Sequence, residues 1–122
     1  MDKTITFYDS THTIFAEMTL PGRSSLAVFR LSGDLAATAC TALIGNKLPT
    51  PRIAYFSALK DPVSNEVIDH GIILWIPGPN SFTGEDVVEI FCHGNPIIVE
   101  VLIDRCVELG ARPARAAVNE LF

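Results

Sequence analysis

Two charged residues occupy positions at which the surrounding pattern predicts burial. Arg30 shares a strand face with Leu26 and Val28, and Glu89 lies between Val88 and Ile90. A charge taken out of water needs a partner or a ligand to offset its desolvation. One reading is an ion pair, mutual or local, with no further role. The other is a ligand pocket. There the Glu89 carboxylate offers two parallel acceptors to a heterocycle bearing a ring N–H beside an exocyclic amine, and the Arg30 guanidinium takes carbonyl or carboxylate oxygens.

Other side chains could join such a pocket. Arg23, in Pro21-Gly22-Arg23-Ser24-Ser25, lies on a turn from which it could reach an anion or simply be solvated. His93 precedes Gly94 at a helix start, where it could line a site or be a hydrogen-bonded core histidine. Phe82 and Trp75 are either core residues or stacking surfaces for a ring. Cys92 beside His93 on a strand projects to the opposite face, which suits a buried thiol better than a thiolate–imidazole pair. The chain contains no GxxxxGK[ST] phosphate loop, no GxGxxG after a strand, no HExxH pair and no GxSxG elbow. Nucleotide hydrolysis is therefore not written in these residues.

The elements that must position Arg30 and Glu89 are marked by Gly and Pro. Residues 13–16 and 26–31 read as strands flanking the turn signal Pro21-Gly22. Asp34 is the expected N-cap of a helix through Ala36, Ala39, Leu43 and Ile44, ending at Gly45-Asn46. Residues 53–59 form the next expected strand, joined through a hairpin loop at 61–65 to a return strand from Val67 to Trp75 whose apolar run predicts burial on both faces. Residues 77–84 hold two prolines and two glycines and must be a shaped loop. Along residues 87–93 the alternation sets Glu89, Phe91 and His93 against Val88, Ile90 and Cys92. Asn95 as N-cap and Pro96 in the first turn open a second helix reaching about Leu109, with Gly110 as its C-terminal cap. Hairpin-linked strands with two helices predict an α+β fold on an antiparallel or mixed sheet.

The 122 residues amount to one domain, able to bury about two thirds of the extended chain's surface. Apolar residues make up 48% and charged residues 19%, which disfavours disorder and implies some apolar surface for a partner. A net charge of −5 disfavours a nucleic-acid backbone clamp. Three cysteines without CxxC spacing write neither a disulfide framework nor a zinc site, and fit reduced thiols in a cytoplasmic protein. No basic-then-apolar leader is visible, and the apolar run 71–76 is far shorter than the roughly 20 residues that span a bilayer. No membrane partner is expected.

The motifs Pro21-Gly22-Arg23, 27–33 (AVFRLSG), Pro51-Arg52, 77–89 (PGPNSFTGEDVVE) and Cys92-His93-Gly94 together resemble the amino-terminal domain of the tRNA-modification GTPases called MnmE or TrmE. The PGPNSFTGEDVVE string is highly specific, and the PGR and RLSG blocks support it independently. The resemblance covers about residues 12–115, so that residues 1–115 are expected to form the domain and 116–122 a divergent or truncated tail.

The resemblance implies a tetrahydrofolate-binding fold similar to that of aminomethyltransferases, which also mediates homodimerisation. Members of the family bind 5-formyltetrahydrofolate or a related tetrahydrofolate and work with a flavin-dependent partner protein. They install an aminomethyl-type group on the wobble uridine of certain tRNAs, so tRNA would be an indirect partner. By the same resemblance Arg30 and Glu89 contact the folate. Two local departures, Gly22-Arg23-Ser24-Ser25 for Gly-Arg-Gly-Gly and His93-Gly94-Asn95 for His-Gly-Gly, alter backbone positions near the ligand. After Arg115 the family's Pro-Gly-Glu-Phe segment is replaced by Ala116-Ala117-Val118-Asn119-Glu120-Leu121-Phe122, without the family's later folate-contacting basic residue. GTP, magnesium and potassium belong to a GTPase domain that these residues do not match. The expected function is a folate-binding, dimerising module. The alternatives are a dimerisation module without folate, and a free-standing folate-dependent one-carbon transferase.

Overall fold

Strands of alternating burial, helices with one apolar stripe and stiff connections build one sheet covered by helices on one side. The computed structural model describes residues 13–17 and 25–113. The turn holding Arg23 and the tail 116–122 lie outside the described residues. The elements are β1 (Ile14–Glu17), β2 (Leu26–Ser32), α1 (Ala36–Ile44), β3 (Tyr55–Lys60), β4 (Val67–Ile76), β5 (Val87–His93), α2 (Pro96–Glu108) and β6 (Arg112–Pro113). The strand order is β3-β4-β5-β2-β1-β6. All neighbours are antiparallel except β1 and β6, which run parallel. The fold is α+β on a mixed sheet, as expected.

Along β5 the alternation holds: Val88, Ile90 and Cys92 are buried, Glu89 and Phe91 are half-buried, and His93 is exposed. The buried set joins Leu31, Leu43, Leu59, Ile73 and Leu102 in a single core beneath both helices. Each such aliphatic side chain taken fully from water contributes roughly 1.5–3 kcal/mol. Asn95 caps α2 as expected, its Oδ1 accepting from the N–H of Ile97 at 2.8 Å and of Ile98 at 3.4 Å. Leu109 takes the C-cap position, and Gly110 follows it with φ 105°. Cys40, Cys92 and Cys106 are free and buried.

Three local expectations are corrected and one element was not foreseen. Asp34 does not cap α1. Leu35 holds that position without a side-chain bond, because its N–H is taken by Thr13 Oγ1 at 2.6 Å and the N–H of Ala36 by Gly33 O at 3.1 Å. Strand β3 starts at Tyr55, because Arg52 turns the chain with φ 62° and leaves Ile53 exposed. β4 is not buried on both faces: Ile73 and Trp75 enter the core while Ile72 stays 40% exposed, since the helices cover only one side. Trp75 is thereby a core residue. β6 went unforeseen, being two residues long with a proline in it.

Candidate functional site

The chemistry lies on the sheet face opposite the helices. The ladders place Arg30 of β2 opposite Glu89 of β5, and Glu89 opposite Leu74 of β4. Beside that row run Val28, Phe91, Ile72 and Phe56. This is where the expected burial of Arg30 and Glu89 is corrected. Their side chains are 19% and 16% exposed, on a face that no helix covers among the described residues, so they keep some contact with water. The positions are right and the neighbourhood is wetter than the periodicity predicts.

Arg30 donates from Nε at 2.9 Å and from Nη2 at 2.6 Å, both to Glu89 Oε2. Both bonds use the same carboxylate oxygen. Oε1 has no hydrogen-bond partner among the described residues and keeps its acceptor capacity. The Arg30 guanidinium carbon also lies 5.6 Å from the centre of the Phe82 ring, within cation–π range. Phe82 is 78% exposed, an apolar ring held in the open above an ion pair.

The loop 77–86 carries Phe82, and its own hydrogen bonds fix its shape. Arg52 Nη2 donates to Asn80 O at 2.6 Å and to Pro77 O at 3.3 Å. Gly78 N donates to Asp86 Oδ1 at 2.9 Å. A Cβ at Gly78 would stand 2.7 Å from Gly84 O, so only glycine fits. The Ser81 hydroxyl donates to the Glu85 carbonyl. Buried Ser32 is joined to Thr83 Oγ1 at 2.8 Å and donates to Glu85 Oε1 at 3.3 Å, tying the loop onto the end of β2. Arg52, Ser32 and Thr83 stand in the motifs that carry the resemblance, but the sequence assigned none of them a role in the site. The density of Pro, Gly, Ser and Thr in 77–84 was the available signal.

A second constellation stands where the β4–β5 ladder stops. Asp69 accepts the backbone N–H of His93 at 2.9 Å, and His93 Nδ1 lies 2.9 Å and 3.0 Å from the two carboxylate oxygens. Partial burial raises the Asp69 carboxyl, but the N–H groups of His93 and His70 and the imidazole together hold it below the usual range. His93 thus lines the surface, as one reading of its position expected, and is not a core histidine. It borders an open, almost wholly apolar pocket of about 180 Å³ with Leu26, Phe56, His70, Ile72 and Phe91. Asp69 was missed, since only the fold brings it to His93. Among the described residues there is no cluster of His, Cys, Asp or Glu that could hold a metal, and no helix is long and apolar enough to cross a membrane.

A family profile described as the GTP-binding protein TrmE N-terminus matches residues 13–117. Among curated relatives, the tRNA modification GTPase MnmE of Pseudomonas syringae pv. tomato is 47% identical over 103 residues, 84% of this chain and 22% of the relative. The protein of the same name from Pseudomonas paraeruginosa is 46% identical over 106 residues, 87% of this chain and 23% of the relative. That of Chromobacterium violaceum is 46% identical over 102 residues, 84% and 22% respectively. The chain therefore spans less than a quarter of the length of the relatives it matches.

Proposed function

Because the chain belongs to the family of the GTP-binding protein TrmE N-terminus, we propose that it serves as the folate-binding, dimerising amino-terminal module of a tRNA-modification GTPase. The observation that carries this reading is the half-buried Arg30–Glu89 pair, with one carboxylate oxygen that has no hydrogen-bond partner among the described residues and an exposed aromatic ring beside it. A pterin offers an amine and a ring N–H to a carboxylate and an oxygen to a guanidinium, so this donor and acceptor set fits it. Glu89 Oε1 would accept from the heterocycle, Arg30 would hold an oxygen of the cofactor, and Phe82 would stack on the ring. When bound, 5-formyltetrahydrofolate or a related tetrahydrofolate supplies the one-carbon unit for an aminomethyl-type group on the tRNA wobble uridine.

In this reading the module neither hydrolyses GTP nor modifies tRNA by itself. GTP, magnesium and potassium act in a separate GTPase domain, a flavin-dependent protein is the partner, and the site of action is the cytoplasm. Homodimerisation is supported by exposed apolar residues on the open face: Leu26 at 48%, Phe56 at 69% and Ile72 at 40%. Residues 1–115 would make up the module and 116–122 its tail.

Calorimetry with 5-formyltetrahydrofolate tests the site. Glu89→Ala and Arg30→Ala should each weaken binding about tenfold or more. Unchanged affinity in both variants overturns the assignment. A dimer in sedimentation that binds no folate at all would leave a dimerisation module instead.

A further inference from the structure

We propose that Arg52 is a positioning residue for the ligand site: through the carbonyls of Pro77 and Asn80 it holds the Phe82 ring over the Arg30 guanidinium, where a heterocycle would stack. This inference rests on the folate reading and adds a residue outside the ion pair on which the stacking surface depends.

Arg52 adopts a backbone conformation that its residue type disfavours. Its φ is 62°, in the left-handed region where a Cβ crowds the neighbouring carbonyl and glycine is the usual occupant. A strained residue persists only where its surroundings fix it, and such residues gather at functional sites. The Arg52 N–H donates to Trp75 O at 2.8 Å, which fastens the turn to the last residues of β4. From there Nη2 donates to Asn80 O at 2.6 Å and to Pro77 O at 3.3 Å, both charge-assisted bonds. The residue is exposed and pairs with no carboxylate among the described residues. Neither core packing nor an ion pair therefore accounts for an arginine in this turn, whereas the loop contact does.

Phe82 stands between two anchors. Asn80, two residues before it, is held by Arg52, and Thr83, directly after it, is joined to buried Ser32 at 2.8 Å. The ring itself is 78% exposed, with its centre 5.6 Å from the Arg30 guanidinium carbon. A ring with so little packing around it is placed by the backbone on either side. The Ser32 anchor also serves the end of β2, but the side-chain hydrogen bonds of Arg52 all go to the loop. Arg52 is thus the anchor whose removal moves the ring without opening the core.

Titration of the full chain with 5-formyltetrahydrofolate tests this role. Arg52→Gly removes the side chain and keeps the left-handed backbone free of strain. It should weaken binding about fivefold to tenfold, and Arg52→Lys, which retains a cationic donor, should recover part of the loss. Phe82→Ala should weaken binding by a similar factor. The double variant Arg52→Gly with Phe82→Ala should bind no more weakly than Phe82→Ala alone, because Arg52 acts through the ring. Wild-type affinity in Arg52→Gly, or losses that multiply in the double variant, overturn the positioning role and leave the Arg30–Glu89 assignment standing. Nuclear Overhauser contacts between the Phe82 ring and the Arg30 side chain give a readout without ligand: they should be present in the wild type and lost in Arg52→Gly. Contacts kept in the variant, or missing from the wild type, overturn the role whether or not folate binds. A wild type that shows these contacts and binds no folate overturns the folate reading alone.

Discussion

Arg30 and Glu89 face one another directly across the β2–β5 ladder, and two guanidinium nitrogens converge on a single carboxylate oxygen. The arrangement neutralises the pair and leaves the second oxygen without a hydrogen-bond partner among the described residues. Arg30→Ala, Glu89→Ala and the double variant, followed by urea unfolding, should reveal a coupling of roughly 0.2–1 kcal/mol, the range for opposed charges on a sheet. Strict additivity of the single variants would show that the pair contributes nothing to stability.

Gly71 marks the close approach of β4 to β5. A Cβ there would stand 2.3 Å from Phe91 O, a backbone atom that cannot rotate away. Gly71→Ala should cost about 1–3 kcal/mol or more by overpacking, read as a lower urea midpoint, and should distort the pocket edge. A variant as stable as the parent would mean that the strands separate there without cost.

Asp69 gives the fold a dependence on acid. Its carboxyl is held below the ordinary value of 3.8, so the ionised form stabilises the native state above that pH, and the contribution is lost as the pH falls through the lowered folded value. Asp69→Asn should therefore be about 1 kcal/mol less stable at neutral pH, the scale of a hydrogen bond within this set. The gap to wild type should narrow as the pH falls below 3.8 and through the lowered folded value. A gap independent of pH would assign the loss to shape and not to charge.

The thiols act at the other end of the scale. Burial pushes Cys40 up to about 11 and Cys106 up to about 12, from an ordinary 9.0. Both stay protonated in the folded state, so their contribution is complete below pH 9 and disappears as the pH rises toward those values. Chemical unfolding should show stability declining from about pH 9, and the decline should be reduced in Cys40→Ala with Cys106→Ala. In the native protein at pH 8 both thiols should resist alkylation. Rapid labelling without unfolding would contradict their burial.

Much of this was legible because it was local. Strand β5 was read residue for residue from its alternation, and α2 from Asn95-Pro96, since the cap and the fixed proline φ are properties of neighbouring residues. The run Ile72-Ile73-Leu74-Trp75-Ile76 misled, because an apolar sequence records what a strand tolerates and not how many layers cover it. The same limit applies to Arg30 and Glu89, whose flanking residues indicated a dry interior where the fold supplies an open face. Asp69 meets His93 across 24 residues, and Thr13 accepts the N–H of Leu35 across 22 at the helix start where Asp34 was expected to cap. Such pairings exist only once the sheet has closed.

The loop 77–86 is held by Arg52, by Ser32 and by its own Asp86, through bonds made entirely within the protein. A molecule arriving at Phe82 therefore meets a surface already organised, and the entropy of ordering that segment is absent from the binding free energy. Association should then be one exponential, first order in protein at low concentration and limited by encounter, with differences among variants appearing mostly as residence time.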